Sequence, residues 1–146
     1  MKLSAMRWTK LNTGFDAEPN APIPRVTVNG CDVLVRFFLN PFIWGDVQEQ
    51  DEAALVFHDV FMCRLGSTND EGFYRGQCRF SNTGIPWGDF YELQESDWQR
   101  TFPDDLVMVL PSLIGDPRLK HYLYYFRDQT FECLAKGFDY RRLGRA

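Results

Sequence analysis

Hydrophobic and polar positions along this chain follow the two-residue period of strands, and very little of it follows the 3.6-residue period of a helix. Arg25-Val26-Thr27-Val28 leads into Asn29-Gly30, and a second run continues from Cys31 to Leu39. Asn-Gly between two such runs predicts a hairpin with a type I′ turn, because both central residues of that turn need positive φ. In the second strand Cys31, Val33, Val35, Phe37 and Leu39 share one face, and Pro41 ends it. Ala53 to Leu65 predicts a long strand with Ala53, Leu55, Phe57, Asp59, Phe61 and Cys63 on one face. Phe73 to Phe80 is expected to pair back with it as a second hairpin. A short strand is predicted at Asp89–Leu93, and Leu106–Leu110 is an apolar run of strand length between Asp105 and Pro111. A last hairpin is expected to join His121–Arg127 to Thr130–Ala135 across Asp128-Gln129.

The remaining segments are breakers and links. Residues 12–24 carry turn formers and prolines that exclude a helix, so 1–23 reads as an irregular segment pinned by Trp8, Leu11 and Phe15. Residues 45–52 form an acidic link, expected as a solvated turn. Ser96 is placed to cap one helical turn at 96–102. The basic tail 139–146 is expected to fray. Together these elements predict a single domain, 1–146, that is mainly β: an antiparallel meander of about eight strands with minor helix. A strongly curved sheet, a sandwich and a barrel all fit that pattern. An α+β arrangement, with short helices over one open face, is the alternative.

Composition narrows the function classes. Aromatics make up 16% of the chain, which suits a sheet and supplies large blocks for a core or a pocket. The formal net charge is −4, which argues against nucleic acid as the main partner, since phosphate binding needs clustered Lys and Arg. Arg outnumbers Lys, so Arg–carboxylate pairs are expected around Arg36, Arg64, Arg75, Arg79 and Arg127. No apolar stretch reaches transmembrane length and the first residues lack the apolar core of a secretory signal, so a cytoplasmic protein without membrane contact is expected. The four cysteines, Cys31, Cys63, Cys78 and Cys133, stand singly. They are expected as reduced thiols, with a Cys63–Cys78 bridge as the minority arrangement.

Candidate chemistry is sparse. There is no phosphate-binding glycine loop, no G-x-S-x-G elbow and no metal-ligand spacing between the two histidines, His58 and His121. No catalytic residue, metal ligand or cofactor is therefore assigned. What stands out is a polar island at 64–80 between strand-like runs. Asn69, Asp70 and Glu71 supply acceptors and a donor, Tyr74 an amphipathic contact, and Arg75 a fork for a carboxylate. With Trp87 from the next turn, these six residues are the predicted binding site.

Residues 11–20, the 65–80 island, Trp87-Gly88-Asp89-Phe90-Tyr91 and 126–133 resemble segments of a small uncharacterised bacterial protein family. The resemblance covers most of the chain, carries no activity with it, and implies a bacterial cytosolic protein. The expected function is a non-enzymatic binding or protein-interaction module of the accessory or immunity type. The alternative is a small barrel holding an apolar or aromatic ligand, with hydrolase or isomerase chemistry run by a carboxylate and Tyr. A closed cavity lined by Tyr and Arg would favour the barrel. A filled interior would favour the interaction module.

Overall fold

The computed structural model describes residues 7–67, 80, 83–94 and 98–145. Its strands are β1 (Arg7–Lys10), β2 (Arg25–Asn29), β3 (Asp32–Phe38), β4 (Asp51–Gly66), β5 (Phe90–Gln94), β6 (Val107–Met108), β7 (Lys120–Tyr125) and β8 (Thr130–Arg145). All belong to one open antiparallel sheet, in the order β1-β5-β7-β8-β4-β3-β2, with β6 against β4. Helix among the described residues is limited to one turn at Trp98–Thr101 and a 3-10 turn at Pro111–Leu113. The chain is thus mainly β, and of the shapes considered it takes the curved open sheet.

The two outer hairpins form where the sequence puts them, with one change. Val26 faces Val35 and Asn29 faces Asp32, so the turn residues are Gly30 and Cys31. Gly30 has φ +63 and Asn29 is not in the left-handed region. One positive φ at the first central position is the sign pattern of a type II′ turn, not type I′. The closing hairpin joins Tyr125 to Thr130. It does not end at Ala135, and the tail does not fray: β8 runs on, and Asp139 to Arg145 pair with Val56 back to Asp51. The acidic link is likewise shorter than expected, because Asp51 and Glu52 belong to β4 and are buried.

β4 is the spine of the sheet. β8 lies along one edge, and the other is held by β3 at residues 52–57 and by β6 at 62–63. The expected partner run of the second hairpin, 73–79, lies outside the described residues, and Phe80 sits in a turn with φ +66. A bulge between Val60 and Met62 breaks the alternation of β4. Phe61, expected beside Phe57, therefore joins the opposite face with Met62, while Cys63 returns to the inner face. Leu106–Leu110 gives only the two exposed residues of β6.

The sheet curls tightly around its inner face. Phe37 on β3 and Tyr124 on β7 are three strand spacings apart in the order, roughly 14 Å in a flat sheet, yet their ring centroids lie 5.4 Å apart. Phe57 on β4 meets Phe90 on β5 at 5.9 Å across a similar gap. Phe15 and Phe138 help to fill the trough, and Tyr140 on β8 stacks on Phe15 at 4.1 Å. Two clusters cover the outer face. Ile85 and Trp87 pack on Tyr91, Leu123 and Tyr125, while Trp98, Phe102 and Leu113 pack on Phe61, Met62 and Leu134. The interior is thus filled by rings, which leaves binding to the surface clefts and loops.

Candidate functional site

Five of the six predicted site residues, Asn69, Asp70, Glu71, Tyr74 and Arg75, lie outside the described residues. The sixth, Trp87, is half-buried on a turn whose flanking Gly84 and Gly88 both take positive φ. Its indole lies over Tyr125, with centroids 4.6 Å apart and planes 27° apart. The Tyr91 hydroxyl fixes the turn by donating to Pro86 O at 2.7 Å.

Trp87 stands at one end of the sheet, where three loops meet around a buried amide. Asn12 Nδ2 donates to Asp16 Oδ1 at 3.0 Å and to Asp89 Oδ1 at 2.8 Å, and Asn12 Oδ1 accepts from Phe90 N at 3.0 Å. Burial makes each of these bonds costly to lose, because the freed group could not turn to water. Asp16 Oδ2 accepts from Trp44 Nε1 at 3.0 Å, and Asp16 O accepts from Asn40 N at 2.8 Å. Asn40 Oδ1 in turn holds the start of the next loop, accepting from Phe42 N at 2.8 Å and Ile43 N at 3.3 Å. Residues 12–20, 40–44 and 84–89 are held together by these side-chain bonds, with a backbone bridge between Ala17 and Leu39 beside them.

Two clefts open on this end, either side of residues 18–20. One, of about 490 Å³, is bounded by Asp16, Asn20, Asn40, Trp87, Tyr125 and Arg127. Arg127 Nη1 donates to Asn20 O at 2.9 Å and braces its rim. The other, of about 590 Å³, is lined by Ile23, Phe38 and Phe42 with Glu18 and Glu49 among its polar residues. Ile23 and Gln50 both line it with positive φ, at +46 and +69. For the β-branched Ile23 that conformation is strained, at a cost of about 1–3 kcal/mol. Phe42 is 74% exposed and its neighbour Ile43 66%.

Elsewhere several charged groups pair. Glu52 is buried between Arg36, at 2.9 Å, and Arg25. Burial pushes its carboxyl up, but the bonds from both guanidinium groups outweigh this and hold it below the usual range. Asp51 is lowered by the Gln48 backbone N–H and then by Arg142. Arg64 pairs with Asp105 at 2.7 Å. His121 and Glu132 form a buried pair at 2.8 Å, with the rings of Phe80 and Phe102 near the imidazole. His58 Nε2 lies 2.7 Å from Asp139 Oδ2, and its Nδ1 3.5 Å from Asp32 Oδ2. The Asp139 bond, against some burial, raises the His58 pKa.

The two buried thiols are poor nucleophiles. Cys63 faces Cys133 across β4 and β8, and both are free and buried. Burial pushes Cys63 up to about 11 and Cys133 well above its ordinary value, which suppresses the thiolate at neutral pH. Cys31 is a free, exposed thiol, and Cys78 lies outside the described residues. Among the described residues no group of three or more His, Cys, Asp or Glu is arranged to hold a metal ion, and no helix is long and apolar enough to cross a membrane.

Sequence reasoning grouped Trp87 with the polar island, which lies outside the described residues, and did not single out Asn12, Asp16, Asn40, Asp89 and Arg127. The available signal was the set of turn-rich segments: 11–20, 87–91 and 126–133 lie far apart in the chain and converge here. Comparison with protein-family models, with curated proteins and with solved structures found no match.

Proposed function

We propose that this chain is a non-enzymatic binding module, of the accessory or immunity type, whose protein partner docks on the face formed by residues 18–23 and 38–50. One observation carries the reading: Phe42 and Ile23 are both more than half exposed in one groove, beside Glu18 and Glu49, and the exposed Ile43 follows Phe42 in the chain. Burying a large apolar side chain is worth roughly 1.5–3 kcal/mol, so two or three left in water at one place supply an anchor for association. The carboxylates select a partner that carries Lys or Arg beside its apolar contacts. Filling of the inner face by rings supports a module that binds with its surface. The free thiols, including the Cys63 and Cys133 pair, suit a reducing compartment such as the bacterial cytoplasm.

The test is affinity capture from the native host, with wild type beside a Phe42→Ser, Ile43→Ser double variant. Both positions are exposed, so stability should move by less than about 0.5 kcal/mol per site. A specific partner should be retained by wild type and lost by the variant. Equal retention by a folded variant refutes the reading.

A further inference from the structure

We propose that β2 is a dimerisation edge, on which a second copy of this chain adds its own β2, antiparallel, about a two-fold axis at Thr27. The inference goes beyond the docking reading, and the residues it pairs lie outside 18–23 and 38–50. β2 is the last strand of the sheet and, among the described residues, pairs only with β3. Arg25, Thr27, Val28 and Asn29 are exposed, and Val28 leaves 47% of its surface in water.

The backbone of this edge is set for a partner. The two-residue loop closes on Asn29 and Asp32, a hydrogen-bonded pair, and hydrogen-bonded pairs alternate from there. Arg25, Thr27 and Asn29 therefore turn their N–H and C=O toward β3, and Val26 and Val28 turn theirs outward. The end of β3 keeps this phase: Phe38 N donates on the β2 side, to Pro22 O at 2.9 Å, and Leu39 N on the β4 side, to Asp51 O at 2.8 Å. The outward groups of Val26 and Val28 have no partner among the described residues.

Pairing β2 with itself satisfies these groups in one register. With Thr27 opposite Thr27 of the second copy, Val26 lies opposite Val28 and Arg25 opposite Asn29. Val26 and Val28 then exchange both backbone bonds, and the axis repeats the exchange. The valines of the two copies meet on the inner side, where Val26 already packs against the core. No like charges face each other. Arg25 is the only ionisable side chain of β2, and it reaches back over β3 to Glu52, away from the edge. Exposed edges are ordinarily blunted by Lys, Pro or a bulge. β2 has no Lys and no Pro, and its register with β3 is unbroken. β1, at the far edge, carries Arg7 and Lys10 at its two ends, so full-length antiparallel pairing with itself would set like charges opposite. A β1 to β2 contact between copies would leave a free edge at each end and build fibres, whereas β2 on β2 closes at two.

A five-residue strand covers less than the roughly 1,200 Å² of a standard interface, so the dissociation constant should be on the order of 100 μM. The experiment is sedimentation equilibrium of the purified whole chain, from about tenfold below that value to about tenfold above it. The mass should rise from one chain to two and no further. Over the same range the Val26 and Val28 amides should gain protection from hydrogen exchange. Thr27→Lys and Thr27→Glu each set like charges opposite at the axis, from an exposed position, and each alone should weaken the dimer about tenfold. An equimolar mixture of the two should restore it, because opposite charges then meet, and that recovery is specific to the Thr27 register. The Phe42→Ser, Ile43→Ser variant should dimerise like wild type, so docking and dimerisation fail separately. A single-chain mass at the highest concentration overturns the proposal. So does association beyond two, unchanged exchange at Val26 and Val28, an undiminished dimer in either folded Thr27 variant alone, no recovery in the mixture, or loss of the dimer in Phe42→Ser, Ile43→Ser.

Discussion

Phe57 tests the curl of the sheet. Its ring, fully buried on β4, meets Phe90 of β5 at 5.9 Å, Tyr122 of β7 at 5.3 Å, and Phe131 and Phe138 of β8 at 5.3 and 6.2 Å. Only strong curvature lets one side chain touch three other strands of the same sheet. Phe57→Ala removes a ring held on all sides and leaves a cavity that its rigid aromatic neighbours cannot fill. Such a change costs about 3–5 kcal/mol, against a total stability on the order of 5–15 kcal/mol for a domain. Phe57→Leu keeps most of the volume and should cost about 1–1.5 kcal/mol, mainly in lost ring contacts. Urea unfolding followed by near-ultraviolet dichroism measures both. With a slope of roughly 1–3 kcal/mol per molar urea, the alanine variant should lose at least about 1 M from its midpoint, with the slope unchanged. A flat sheet would leave Phe57 only its strand neighbours and solvent. A loss below about 1 kcal/mol for Phe57→Ala would therefore refute the curled arrangement.

Two further outcomes follow from the loops and the surface charges. Gly30→Val should lower stability by about 1–2 kcal/mol or more, because the cost is conformational: φ is +63 and the space around a Cβ is empty. Gly30→Asn should recover most of it, and an unchanged melting temperature for the valine variant contradicts the turn. His58 has its folded pKa raised above 6.5 by Asp139 and Asp32, so its contribution is complete below about pH 6.5 and disappears as the pH rises through the folded value. The side chain is more than a third exposed, so the amount is under about 1 kcal/mol. His58→Gln should flatten this part of the stability curve between pH 6 and 8, and a wild-type curve that rises over this interval for the same residue contradicts the pairing.

How much was legible in the sequence differs by element. Where one face is covered and the other wetter, a two-residue period is a direct imprint of burial, so β3 could be read from Val33, Val35 and Phe37; β7 and the first half of β8, buried on both faces, were legible instead as apolar runs of strand length on either side of a turn. The Gly30 turn was legible as a turn, but its type was not, because a one-residue choice of register depends on pairing across both strands. The burial of Asp51 and Glu52 and the pairing of residues 139–145 with β4 were hidden, since charged residues read as solvated when their partners are far away in sequence. Arg25, Arg36 and Arg142 become those partners only once β3 and β8 flank β4. The bulge that turns Phe61 outward leaves no local mark for the same reason. The clefts are further still from the sequence: Asn12, Asp16, Asn40, Asp89 and Arg127 are ordinary loop residues until the curl of the sheet brings their loops to one end. Local periodicity thus determined which segments are strands. Tertiary structure alone decided which polar groups share a cavity, because that depends on long-range pairing and curvature, which no short window of residues contains.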